Sequence, residues 1–142
     1  MISQEAIFSI ASKKEFEKIT LKVFRFQYEN NKIYQSFCNH LGKGPSIVKQ
    51  ISDIPFLPIQ FFKSDKIVSN TDEAKVIFTS SGTTGMITSK HFVTDVSLYE
   101  NSYNKAFAQF YGNIEDYCVL ALLPSYLERD GSSLIYMVED LI

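Results

Sequence analysis

The sequence predicts an α/β fold, with N-terminal helices followed by βαβ units of a parallel or mixed sheet. Apolar residues recur at helical spacing over residues 14–41, and a β-prone run at 74–78 ends in a loop rich in serine, threonine and glycine. Beyond the loop, helix-type and strand-type patterns alternate to residue 142, the order expected of parallel strands joined by crossover helices. A chain of 142 residues fits one domain and can bury roughly two-thirds of its unfolded surface. Within it, 1–73 reads as a helical and extended region and 74–142 as the βαβ region.

Each element has its own signal. Phe16, Ile19, Val23, Phe24, Phe26, Tyr28, Ile33, Tyr34, Phe37 and Leu41 follow three- and four-residue steps, interrupted at Asn30 and Asn31. This predicts two amphipathic helices. Gly42, Gly44 and Pro45 break the pattern, and Pro55 and Pro58 push their preceding residues toward extended geometry. Residues 52–59 are therefore expected to form an extended connector, packed onto the domain by Phe56, Phe61 and Phe62. Asp95 is a candidate N-cap for a helix running to Tyr111, with Leu98, Tyr103, Phe107 and Phe110 along one side and Gly112 as its stop. Residues 117–123 read as a buried strand ended by Pro124, and 132–142 as the next helix. The chain stops in this apolar run without a stop signal, so it is expected to be part of a longer protein.

Composition narrows the function. Lys and Arg number 14 against 16 Asp and Glu, a formal charge of −2, so no global field favours nucleic acid or anionic lipid. Cys38 and Cys118 have neither metal-ligand nor redox spacing and read as buried free thiols. The first residues turn polar too early for a signal peptide. No apolar run approaches the roughly 20 residues that span a bilayer, and the cytoplasm is the expected location.

The chemistry concentrates at Thr79, Ser80, Ser81, Gly82, Thr83, Thr84 and Gly85. Glycines let converging backbone N–H groups approach a phosphate closely, and the five hydroxyls can donate to phosphate oxygens without fixed charge. The loop lacks Walker A spacing, and no lysine directly follows Gly85. The alternative is an ordinary polar turn between elements. Ser132 and Ser133 lack a nucleophile-elbow context; Asp130 or Ser132 is expected to cap the last helix.

The string Ser80-Ser81-Gly82-Thr83-Thr84-Gly85 resembles the signature loop of the AMP-forming superfamily of acyl-CoA synthetases, adenylation domains and firefly luciferase. That resemblance implies part of the large domain of an adenylate-forming enzyme. It also implies ATP with Mg²⁺ as cofactors, and Thr83 and Thr84 as ligands of the β- and γ-phosphates while a carboxylate attacks the α-phosphorus. Where such enzymes continue with a proline and a lysine, this chain has Ile87 and Thr88, with Lys90 two residues on. Lys90 is thus a candidate catalytic charge beside the leaving group, its alternative being a solvated lysine. Lys63 is a weaker candidate of the same kind, and His91 reads either as a group near the site or as a structural histidine.

Further segments narrow the resemblance: Phe26-Gln27-Tyr28; Ile54-Pro55-Phe56-Leu57-Pro58-Ile59 with Phe61-Phe62-Lys63; Ser89-Lys90-His91; and Leu123-Pro124-Ser125-Tyr126-Leu127-Glu128-Arg129. Together they are similar to the acyl-protein synthetases of the bacterial bioluminescence type, over most of residues 15–142. The similarity implies activation of a carboxylic acid, in that group a fatty acid, as an acyl-adenylate, and transfer of the acyl group to a protein thiol. Its partners would be the acid and either an acyl-accepting protein or the C-terminal part of the enzyme, where the adenine and ribose contacts, a closing lysine and the accepting thiol lie in that group. A CoA ligase of the phenylacetate type and a non-catalytic binding module that keeps the fold are the competing readings.

Overall fold

A computed structural model of the chain describes residues 2–69, 72–80, 88–122 and 131–142. The chain divides into two compact units, one of Met1–Phe61 with Ile67–Thr71, the other of Phe62–Lys66 with Asp72–Ile142.

The first unit contains α1 (Gln4–Phe8), α2 (Lys13–Asn30), α3 (Lys32–His40) and a 3-10 turn at Ile51–Asp53. The helical periodicity of the sequence is realised, and the break falls at the expected asparagines. Asn31 does two jobs there: its N–H closes α2 on the Gln27 carbonyl, and its side chain accepts the Tyr34 N–H at 3.0 Å to cap α3. Because α2 ends and α3 begins at one residue, their apolar faces meet. Phe24, Tyr34, Cys38 and Val48 form the buried core, with Leu21, Tyr28, Phe37, Ile54 and Leu57 packed around it. The Tyr34 hydroxyl donates to the Pro55 carbonyl at 2.7 Å, tying the extended connector to this core. Phe61 also packs, edge-on against Phe37. Phe56 does not: it is 80% exposed, so one of the three expected anchors fails.

The second unit contains α4 (Phe61–Ser64, at its border), β1 (Val76–Thr79), β2 (Lys90–Val93), α5 (Ser97–Tyr111), a 3-10 turn at Ile114–Asp116 and α6 (Ser133–Asp140). Helices and strands do combine here, but the described sheet has two strands paired antiparallel, in place of the expected βαβ crossover. The reading of residues 117–123 as a buried strand also fails over its described part. Residues 117–122 have no regular structure, with Leu120 91% and Leu122 103% exposed. Their composition suits a strand, but a strand needs a neighbour for its N–H and C=O groups, and no described residue supplies one. Leu123 and Pro124 lie outside the described residues.

α5 ends as expected, with Gly112 at φ 86° sending its N–H to Ala108, but its N-cap is Val96, which makes no side-chain cap bond, and Asp95, expected as the cap, stands one residue outside and accepts the Ser97 N–H at 3.1 Å. Its inward face is different from the expected one. Tyr99, Tyr103 and Phe107, at strict four-residue steps, make the aromatic contacts, whereas Leu98 and Phe110 are 42% and 75% exposed. The tyrosines serve a second purpose, since their hydroxyls bridge α5 and α6: Tyr99 to the Ser133 carbonyl, Tyr103 to Asp140, and Tyr136 to Glu100. Phe78 of β1 packs edge-on against Tyr99 and Tyr136, each at 5.6 Å, which seats the hairpin on the helix pair.

Candidate functional site

β1 and β2, which flank the serine- and glycine-rich segment in sequence, pair antiparallel. Val76 stands across from Val93, Ile77 from Phe92, Phe78 from His91 and Thr79 from Lys90. At the base of the loop the Ser80 N–H donates to the Ser89 carbonyl at 3.1 Å, and the Ser89 N–H to Ser80 Oγ at 3.0 Å. Ser80 Oγ thus accepts from the opposite arm and keeps its own hydrogen to donate. Thr79 is held from a third direction, its N–H bonding the Gly131 carbonyl at 2.7 Å. Of the loop residues singled out in the sequence, Thr79 and Ser80 are placed here; Ser81, Gly82, Thr83, Thr84 and Gly85 lie outside the described residues.

The register brings Lys90 to the loop base. Directly opposed residues in an antiparallel pair have Cβ atoms about 5 Å apart on one face, so Lys90 and Thr79 flank the same mouth. The Lys90 ammonium is exposed and pairs with no described carboxylate. His91 stacks on Phe62, ring centroids 5.6 Å apart and planes within 6°. Desolvation holds its pKa below the ordinary 6.5, so it is neutral at pH 7 and adds no charge to the mouth.

Beside β2 lies an open concavity of about 540 Å³, lined by Phe62, Lys63, Ser64, Asp65, Lys66, Thr88, Lys90 and Phe92. Strand alternation turns Thr88, Lys90 and Phe92 to one side. Lys66 lies over the Phe92 ring at 5.4 Å from its centroid, a cation–π contact that holds its ammonium at the wall of the concavity that Lys90 also lines. Among the described residues no cluster of three or more His, Cys, Asp or Glu side chains suits a metal ion, and no helix is long and apolar enough to cross a membrane. Cys38 is fully buried and Cys118 exposed; the expectation of two buried thiols holds for the first alone.

Sequence reasoning missed three parts of this arrangement. β2 was legible as the β-prone run Phe92-Val93-Thr94 but was overshadowed by the loop before it. Gly131, at φ 82°, has only its identity to announce it. The pairing of Lys66 with Phe92 crosses 26 residues of chain and has no local signal.

The profile of the family described as "Acyl-protein synthetase, LuxE" matches residues 4–107. A long-chain-fatty-acid–luciferin-component ligase of Vibrio harveyi is 35% identical over 80 residues, 55% of this chain and 21% of the relative. A protein of the same name from Photorhabdus luminescens is 35% identical over 71 residues, 49% of this chain and 60% of the relative. In both cases the matched part is less than two-thirds of the relative's own length. No solved structure matches the chain. The family match takes in both described arms of the hairpin loop, Lys90 and most of α5, and on that coverage the chain belongs to the acyl-protein synthetase family.

Proposed function

We propose that this chain supplies the phosphate-binding part of an ATP-dependent enzyme that activates a carboxylic acid, in keeping with its relatives a long-chain fatty acid, as an acyl-adenylate and passes the acyl group to a protein thiol. The observation that carries this reading is an antiparallel strand pair with Lys90 across from Thr79 and Ser89 bonded to Ser80 at the ends of the two arms, in a chain whose relatives are named as fatty-acid ligases. A donor set of hydroxyls and loop N–H groups suits the β- and γ-phosphates, because it orients them without neutralising them. The described residues fit a phosphate better than a metal: the Ser80 hydroxyl donates to no described residue, while carboxylates are sparse. Mg²⁺ would therefore arrive chelated by the triphosphate, supplying charge neutralisation as pyrophosphate leaves.

In this reading Ser81, Gly82, Thr83, Thr84 and Gly85 complete the cradle, with Thr83 and Thr84 as ligands. Lys90, fixed by the β-ladder at the loop base, balances the charge that builds on the leaving group. The remainder of the reaction, including nucleoside recognition and the accepting thiol, belongs to a longer polypeptide of the family.

Calorimetric titration of MgATP tests the reading, with a Thr83→Ala, Thr84→Ala variant of unchanged melting temperature as the comparison. Binding that the variant weakens at least tenfold is the expected result. Equal binding by both would remove the loop from the nucleotide site. Acceptor assays with one acid, comparing CoA with protein thiols, separate this reading from the CoA-ligase alternative.

A further inference from the structure

The loop accounts for one side of the hairpin mouth and leaves the concavity beside β2 without a task. Its walls carry three lysines, Lys63, Lys66 and Lys90, against a single carboxylate, Asp65. None of the three ammoniums is paired with a described carboxylate, whereas Asp65 already accepts the Ser64 hydroxyl at 2.6 Å. In a chain of net charge −2 this is a local inversion of sign, and cations that line one opening favour an anion there.

We infer that this concavity is a pyrophosphate site, in which Lys63 and Lys66 act with Lys90 to receive the inorganic polyanion as it leaves the nucleotide. The inference rests on the function proposed above for the choice of polyanion, and on the structure for the site itself. A fatty carboxylate carries one charge and needs one cation; three cations at one opening suit a compact anion of several charges. Nucleic acid is disfavoured by the negative charge of the rest of the chain. Lys90 links the two places, standing across from Thr79 at the loop base and forming a wall of the concavity. A phosphate group released from the loop therefore meets Lys90 first and Lys66, held over Phe92, next. Exposure of the site suits a product that must go: lysines in solvent bind weakly and release quickly.

Direct titration of inorganic pyrophosphate, without nucleotide, tests the site. The wild-type chain is compared with a Lys63→Gln, Lys66→Gln variant, the charge-conserving Lys63→Arg, Lys66→Arg variant and the Thr83→Ala, Thr84→Ala variant. The expected result is pyrophosphate binding that falls steeply with added salt, weakens at least tenfold in the glutamine variant and persists in the arginine variant. Absence of binding by the wild type, or equal binding by the glutamine variant, would overturn the proposal. The threonine variant keeps the two ideas apart. If it loses MgATP yet holds pyrophosphate, the loop and the lysine site are distinct. If pyrophosphate binding depends on the threonines and ignores Lys63 and Lys66, the lysine site is wrong while the nucleotide reading stands.

Discussion

His91 stacks on Phe62, and partial desolvation of its imidazole, which the protonated form tolerates less than the neutral one, lowers its pKa below 6.5. The sign of the effect on stability follows. Well above pH 6.5 the ring is neutral in both folded and unfolded chains and contributes no pH dependence. As pH falls below that value the unfolded chain takes up the proton first, so stability drops until the folded-state pKa is passed. Replacing Phe62 with alanine should rehydrate the ring and move its titration midpoint up toward 6.5, read by NMR of the imidazole protons across pH 4–8. An unmoved midpoint would show that the desolvation comes from elsewhere.

Among the elements, the hairpin depends on a residue far away in sequence. Gly131 adopts φ 82°, and a Cβ there would stand 3.0 Å from Thr79 Oγ1 and 3.3 Å from the Ile77 carbonyl. Alanine at this position therefore meets both backbone strain and a crowded β1. Gly131→Ala is expected to destabilise the chain by about 1–3 kcal/mol and to loosen the Thr79 N–H bond to residue 131. Denaturant melts, together with hydrogen exchange at the Thr79 amide, would check both effects; wild-type stability with unchanged exchange would contradict the account. The same region shows what the sequence could and could not disclose. The break at Asn31, the end of α5 at Gly112 and the Ser132 cap of α6, which accepts the Ile135 N–H, are local signals, fulfilled within a few residues of chain. The antiparallel partner of β1 and the clamp from Gly131 are set by contacts across 11–17 and 52 residues, where periodicity carries no information. Lys90 was legible as a residue, but its position opposite Thr79 was not.

At the scale of the molecule, the segment after α5 exposes a run of apolar side chains among the described residues. Tyr117, Leu120 and Leu122 are 50%, 91% and 103% exposed, and Phe110 and Tyr111 on α5 are exposed nearby in sequence. Scattered apolar residues on a surface are ordinary, but a run of strand-forming apolar residues whose backbone pairs with no described strand is a site for association. The sequence pattern of burial was therefore right about the chemistry of these side chains and wrong about what covers them. Because they touch little, replacing them should leave folding intact: Leu120→Lys with Leu122→Lys is expected to change stability by no more than about 0.5 kcal/mol. The same pair should lower binding of a hydrophobic dye and reduce concentration-dependent self-association in sedimentation experiments. Lysine adds charge to a chain of net −2 and brings it near neutrality, which by itself favours association. A fall in self-association against that trend would identify apolar contact as its cause. A loss of several kcal/mol would instead mean that the two leucines are buried in the folded chain.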